Sequence, residues 1–273
     1  MLKQRIITAA ILLPVILFAV WFGHPWLFSL FIAAASVIGT LEFYRMVSNS
    51  GKGYPLTYFG LLWAVALTLS PLSLYYRDIN LLPAIMATAV IISLAWILIR
   101  SSRETAFQNW AWTVAGVLYV GWMLSYWLNL NLLPDGRNWV YLALFTTFAN
   151  DTGAYFIGRK WGRHKLAPAI SPGKTGEGAI GGLLSSVAGA VAVFLLLNLF
   201  SIFSLPYWQI ILLACLVSLF AQVGDLVESL LKRNLGAKES GKLLPGHGGV
   251  LDRFDSLIFV APIVYYYVVW LVG

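Results

Sequence analysis

Long apolar runs separated by short polar connectors make up most of the chain. A helix that crosses the hydrocarbon of a bilayer needs ~20 mostly apolar residues. Runs of about that length predict helices over residues 6–22, 26–47, 56–74, 81–99, 110–132, 139–157, 179–203, 208–223 and 257–272. The pattern predicts an all-α polytopic integral membrane protein with about nine transmembrane helices. The third and fourth runs carry internal prolines or are marginal in length, which leaves about eight or ten spans as alternatives.

Charge placement supplies an orientation. With a cytoplasmic N-terminus, every lysine and arginine except Arg77 and Arg137 falls on the cytoplasmic side, as the positive-inside rule requires. Lys3 and Arg5 followed by an apolar run resemble a signal peptide, but Val20, Trp21 and Phe22 are too bulky for a cleavage site. The run is read as an uncleaved first span. Trp21, Trp26, Trp110 and Trp139 lie near span ends, where interfacial anchoring explains them.

The chain divides by its connectors. Residues 1–135 read as N-terminal transmembrane helices with short links. Residues 136–273 read as a C-terminal catalytic transmembrane region with two long polar loops, 158–178 and 224–253, which place an active site on the cytoplasmic side. No internal repeat is evident, which weighs against a transporter built from repeated halves.

Composition narrows the chemistry. The chain has 273 residues, 60% hydrophobic and 11% charged, far below the quarter or so that is charged in soluble domains. The net charge of +7 fits basic loops beside an anionic leaflet or a phosphate-bearing ligand. Cys215 is the single cysteine, and His24, His164 and His247 are the only histidines. Disulfides and thiolate zinc sites are thereby excluded, and an all-histidine metal site is disfavoured.

Candidate chemistry concentrates in the second region. Asp151 lies at the end of the sixth run, where a carboxylate is costly and is either functional or ion-paired. A Gly- and Lys-rich stretch follows, ending in Ser171-Pro-Gly-Lys-Thr-Gly-Glu-Gly178. Its Gly-Lys-Thr triplet lacks the glycine that a nucleotide-binding P-loop needs, because Pro168 stands there. Its backbone N–H groups and Lys174 still suit phosphate oxygens, although a plain basic loop also accounts for the charge. Residues 224–233 read as a helix leaving the membrane with Asp225, Glu228, Ser229 and Lys232 on one face. That face suits Mg²⁺ with a phosphate, or merely a solvated salt bridge between Glu228 and Lys232. The last loop sets His247 among Gly246, Gly248 and Gly249, with Asp252 and Asp255 one helical turn apart. His247 reads first as a donor to phosphate, and alternatively as a general acid or base or a hydrogen-bonded structural residue.

Ser229, Lys232, Arg233, Lys238, Pro245, His247, Gly248, Gly249, Asp252, Arg253 and Asp255 stand at the offsets of a known signature. The stretch resembles that of the phosphatidate cytidylyltransferases, also called CDP-diacylglycerol synthases. Glu239 departs from it, standing where the family has Asp, so that its carboxylate reaches one methylene further. Asp151-Thr-Gly-Ala-Tyr155 and the segment 171–178 also look like the family's, and the resemblance covers about residues 145–262. It implies synthesis of CDP-diacylglycerol and pyrophosphate from CTP and phosphatidate, with Mg²⁺, a monovalent cation such as K⁺, and a homodimer in the cell's cytoplasmic membrane. It further implies metal binding by Asp225 and Asp252, supported by Glu228, Asp151 and Asp255. Lys232, Arg233 and His247 join the catalytic set. Ser171, Lys174, Thr175, Lys238, Gly248, Gly249 and Arg253 are expected to bind substrate. The readings that compete are a CTP-dependent enzyme acting on another lipid acceptor and an anionic-lipid transporter. Charges at span ends rather than at mid-membrane favour the enzyme.

Overall fold

The computed structural model describes residue 14 and residues 17–21, 25–100, 104–200, 203, 205–243 and 248–272. Helices dominate: α1 (Pro25–Asn49), α2 (Thr57–Arg77), α3 (Leu82–Arg100), α4 (Ala106–Gly116), a π-helical stretch (Val117–Trp122), α5 (Met123–Asn131), α6 (Gly136–Trp161), α7 (Gly176–Phe200), α8 (Tyr207–Asn234) and α9 (Leu251–Tyr267). Among the described residues, seven helical segments are long and apolar enough to cross a membrane: α1, α2, α3, α4 through α5, α7, α8 and α9 with its C-terminal π turn. The chain is a multi-pass membrane protein. The run predicted over 139–157 forms α6 but is not one of the seven, since its threonines, Asn150 and Asp151 lower its mean hydropathy. Most of the run predicted over 6–22, with Lys3 and Arg5, lies outside the described residues.

The long polar loops are more ordered than their composition predicts. Residues 158–161 complete α6, and 165–175 fold into an antiparallel hairpin of β1 (Lys165–Ala167) and β2 (Ser171–Thr175). Among the described residues the fold is therefore helical with one small sheet. Residues 224–234 are the last turns of α8, so Asp225, Glu228, Lys232 and Arg233 sit on a continuous helix. Apolar residues to Val227, Leu230 and Leu231 sustain its helical period past the end of the predicted span.

The chain forms two compact units, residues 1–132 with 234–254, and residues 133–233 with 255–273. In the first, small residues let helices approach, as membrane interfaces require when lipid removes the hydrophobic driving force. A Cβ on Gly60 or Gly116 would lie 2.1 or 2.4 Å from the Tyr44 ring or hydroxyl. That space admits Tyr44, whose hydroxyl donates to the Thr113 carbonyl at 2.7 Å. The π stretch in mid-span has a similar cause. The carbonyl of Gly121 in that stretch accepts the Thr68 hydroxyl at 3.0 Å, and Thr68 lies 2.8 Å from Ser36 Oγ. One hydroxyl thus links α1, α2 and the widened turn.

In the second unit α6 and α7 run as a hairpin closed by the β1–β2 ribbon. A Cβ on Gly153 would lie 2.0 Å from Ser185 Oγ. Buried Asn150 ties α6 to α8: its Oδ1 accepts Ser218 Oγ at 2.7 Å and Gln222 Nε2 at 3.4 Å. An open apolar groove of about 570 Å³ lies along α6 and α7, lined by Phe145, Phe148, Phe156, Ile157 and their neighbours. Side chains such as Leu184, Leu98 and Leu199 remain 64–85% exposed, as lipid-facing positions should be.

Candidate active site

In the second unit, the end of α8 and the β1–β2 ribbon bring predicted residues together. Lys174 on β2 meets Asp225 on α8, Nζ to Oδ2 at 2.8 Å, with the two side chains 23% and 37% exposed. Ser229, one turn on, donates to Asp225 Oδ1 at 3.4 Å. Glu228 is fully buried and ion-paired with Lys232. Arg233 donates through Nε to the Ile170 carbonyl at 3.2 Å, holding the ribbon's turn against the helix end. Gly224 permits a close approach of backbone at this level. A Cβ there would lie 2.6 Å from the Asp255 carbonyl, so α8 passes close to the start of α9 one residue before Asp225. Asp255 accepts the N–H of Ser256 at 2.6 Å.

The ribbon has its own supports. Thr175 is buried and its hydroxyl accepts the Gly178 N–H at 3.1 Å, an N-cap for α7. Glu177 takes the backbone N–H groups of Arg163 and His164 at 3.0 and 3.2 Å and pairs with His164 Nδ1 at 2.6 Å. It thereby joins the end of α6 to the start of α7. Ser171 begins β2 opposite Ala167. Asp151 is exposed on α6, and its Oδ1 accepts Asn150 Nδ2 at 3.0 Å.

In the first unit, Asp252 is buried at the start of α9. Its Oδ2 accepts three donors: Ser240 N at 2.9 Å, Ser240 Oγ at 2.9 Å and Gly249 N at 2.8 Å. Gly248 has φ +83° and its Cβ position lies 2.6 Å from the same oxygen, so only glycine suits it. Lys238, Glu239 and Arg253 are exposed. His247, with Pro245 and Gly246, lies outside the described residues. Glu42 on α1, which motif reading passed over, is also here, 4% exposed and bonded to the N–H groups of Val250 and Leu251, with Ser240 Oγ 3.2 Å away. A lone carboxylate within an apolar run was the signal that could have marked it.

Among the described residues no three His, Cys, Asp or Glu side chains converge as a ready-made metal cage. Each group offers hard carboxylate oxygens, beside lysine in the second unit and beside glycine-rich backbone in the first. That is the donor set for polyphosphate with a divalent ion, which takes one or two carboxylates and fills its shell with phosphate oxygens and water.

Comparison with known proteins decides the family. Residues 3–271 match the model of the cytidylyltransferase family. The chain belongs to that family. It is similar to the phosphatidate cytidylyltransferase of Bacillus subtilis, 35% identical over 268 residues that cover 97% of each chain. The enzyme of the same name from Staphylococcus haemolyticus is 42% identical over 166 residues, 61% of this chain and 62% of the relative. That of Staphylococcus saprophyticus is 37% identical over 190 residues, 70% of each chain.

Proposed function

We infer that this protein is a CTP-dependent nucleotidyltransferase that converts CTP and phosphatidate into CDP-diacylglycerol and pyrophosphate, a step of phospholipid biosynthesis. The similarity to phosphatidate cytidylyltransferases across 97% of both chains carries the reading. In the reaction a phosphate oxygen of phosphatidate attacks the α-phosphorus of CTP. The new P–O bond forms as the bond to the β-phosphate breaks, and pyrophosphate leaves with that electron pair. The attacking monoester has a second pKa of roughly 6–7, so it is already largely ionised and needs no strong general base.

The obstacle is the approach of two polyanions, and the residues answer it electrostatically. Lys174, held beside Asp225, and Lys232, Arg233, Lys238 and Arg253 supply positive charge to phosphates. Gly248, with His247, contributes donors to the triphosphate or its leaving group, and Gly249 shapes the same turn while its N–H is held by Asp252. Ser171 and Thr175 shape the ribbon that presents Lys174. Asp225 and Asp252 are the carboxylates that would hold Mg²⁺, with Asp151, Glu228 and Asp255 in support. Their oxygen donors fit that ion. When bound, Mg²⁺ would screen the phosphates and stabilise charge on the departing pyrophosphate.

The reading includes nine spans with a cytoplasmic N-terminus, a place in the cell's cytoplasmic membrane, a monovalent cation such as K⁺ and a homodimer. A site at the cytoplasmic ends of the helices serves the chemistry, because CTP is water-soluble and phosphatidate stays in the bilayer. Incubation of purified protein with labelled CTP and phosphatidate is expected to yield a labelled, lipid-soluble liponucleotide that depends on Mg²⁺. Failure to form it under conditions that retain the folded protein would refute the assignment.

A further inference from the structure

Glu42 is a carboxylate on a membrane-crossing helix, and the loop that carries Asp252 is folded around it. Its Oε1 accepts the Val250 N–H at 3.1 Å and its Oε2 the Leu251 N–H at 2.9 Å. Those groups open α9, so Glu42 supplies from another helix the acceptor that a helix start lacks. The backbone closes on it from two sides. A Cβ on Gly241 would fall 2.3 Å from Oε1, and one on Gly249 would fall 2.5 Å from Oε2.

Ser240 connects this carboxylate to Asp252. Its Oγ lies 3.2 Å from Glu42 Oε2 and 2.9 Å from Asp252 Oδ2, and it accepts the Asp252 N–H at 3.3 Å. A hydroxyl has one proton, so it can serve only one of the two acids at a time. Glu42 already holds the N–H groups of Val250 and Leu251, which leaves the Ser240 proton to the closer Asp252. Asp252 Oδ2 then has three donors, and three bonds to one oxygen set the plane of the carboxylate and with it the position of Oδ1. Without Glu42, two backbone donors in a buried loop would lose their acceptor. The acceptor at hand is Asp252 Oδ2, which already takes the neighbouring Gly249 N–H, and its orientation would change.

We propose that Glu42 is a positioning residue for Asp252, acting through Ser240 and the peptide N–H groups of residues 249–251 to aim the carboxylate at its divalent cation. The inference rests on the reading of Asp252 as a metal-holding residue. Its test uses purified full-length protein in detergent with the variants Glu42→Gln, Ser240→Ala and Asp252→Asn. Two quantities are measured: the Mg²⁺ concentration for half-maximal liponucleotide formation, and the rise in unfolding temperature on adding Mg²⁺ and CTP without phosphatidate.

Glu42→Gln replaces one acceptor oxygen with a donor, and Ser240→Ala removes the hydroxyl that lies beside Glu42 and donates to Asp252. Both are expected to raise the half-saturating Mg²⁺ about tenfold, equivalent to ~1.4 kcal/mol, and to shrink the Mg²⁺-dependent rise in unfolding temperature. Turnover at saturating Mg²⁺ should fall much less. If Glu42→Gln does not fold, Glu42→Asp, which keeps the charge and withdraws the oxygens by one methylene, carries the test. Wild-type Mg²⁺ dependence in Glu42→Gln or Ser240→Ala, alongside a shifted Asp252→Asn, would overturn the positioning role and leave Asp252 as a ligand. Unchanged Mg²⁺ dependence in Asp252→Asn would overturn the reading of Asp252 and this inference with it.

Discussion

Replacing Lys232 with methionine separates its two possible contributions, holding phosphate and holding Glu228. The Glu228 side chain is fully buried and that of Lys232 is 14% exposed, and they form an ion pair one turn apart on α8. Methionine keeps the apolar stem and removes the charge. Breaking a buried pair from one side costs roughly 3–5 kcal/mol, because the remaining ion has lost its compensation. For a chain of this size that corresponds to a fall of roughly 6–20 °C in unfolding temperature at about 2–4 °C per kcal/mol. The double variant Glu228→Leu/Lys232→Met removes both charges, and replacing such a pair with apolar groups is often neutral or stabilising. It is expected to regain most of the lost stability. Activity should not return with it, because the positive charge offered to phosphate is still missing. Thermal unfolding in detergent and liponucleotide formation, measured on the same preparations, distinguish the two effects. A single variant as stable as wild type would refute the buried-pair argument. A stable double variant with wild-type turnover would remove Lys232 from phosphate binding.

Other substitutions report on separate parts of the site. Lys174→Ala breaks a partly exposed pair worth about 0–1 kcal/mol, so stability should hardly change while KM for CTP or phosphatidate rises about tenfold. An unchanged KM would remove Lys174 from the site. Gly248→Ala forces a side chain into a left-handed conformation, at a cost of about 1–2 kcal/mol, and places a methyl 2.6 Å from Asp252 Oδ2. Steady-state assays should show more than about tenfold loss of activity, beyond what the fall in stability explains. Thr175→Ala removes the α7 cap and should lower stability by ~1 kcal/mol, measured by thermal unfolding, with Thr175→Ser close to wild type.

Much of the fold was legible because span length and side-chain polarity are local properties. The run predicted over 208–223 appears inside α8, and that over 56–74 matches α2 to within one residue at its start. Each apolar residue meets the same lipid solvent wherever its helix packs, so composition alone marks the span. The boundaries were less legible. The helix read over 224–233 is not a separate element but the continuation of the span before it, since its apolar residues carry the helical period through to Asn234. The 165–175 ribbon had no strand-length apolar alternation to betray it, and it is held by Arg233 and Glu177 from the helix ends.

The sequence by itself determined that this is a membrane-crossing chain, and its spaced Ser, Lys, Gly and Asp residues determined its family. Only the tertiary structure decided which charges meet. Lys174 faces Asp225, and Glu42 closes on a loop some two hundred residues away. Local periodicity records whether a side chain prefers lipid or water. It carries no record of which distant backbone N–H will end up beside a buried carboxylate, because that is settled when helices from far apart in the chain pack and their last polar groups must find partners.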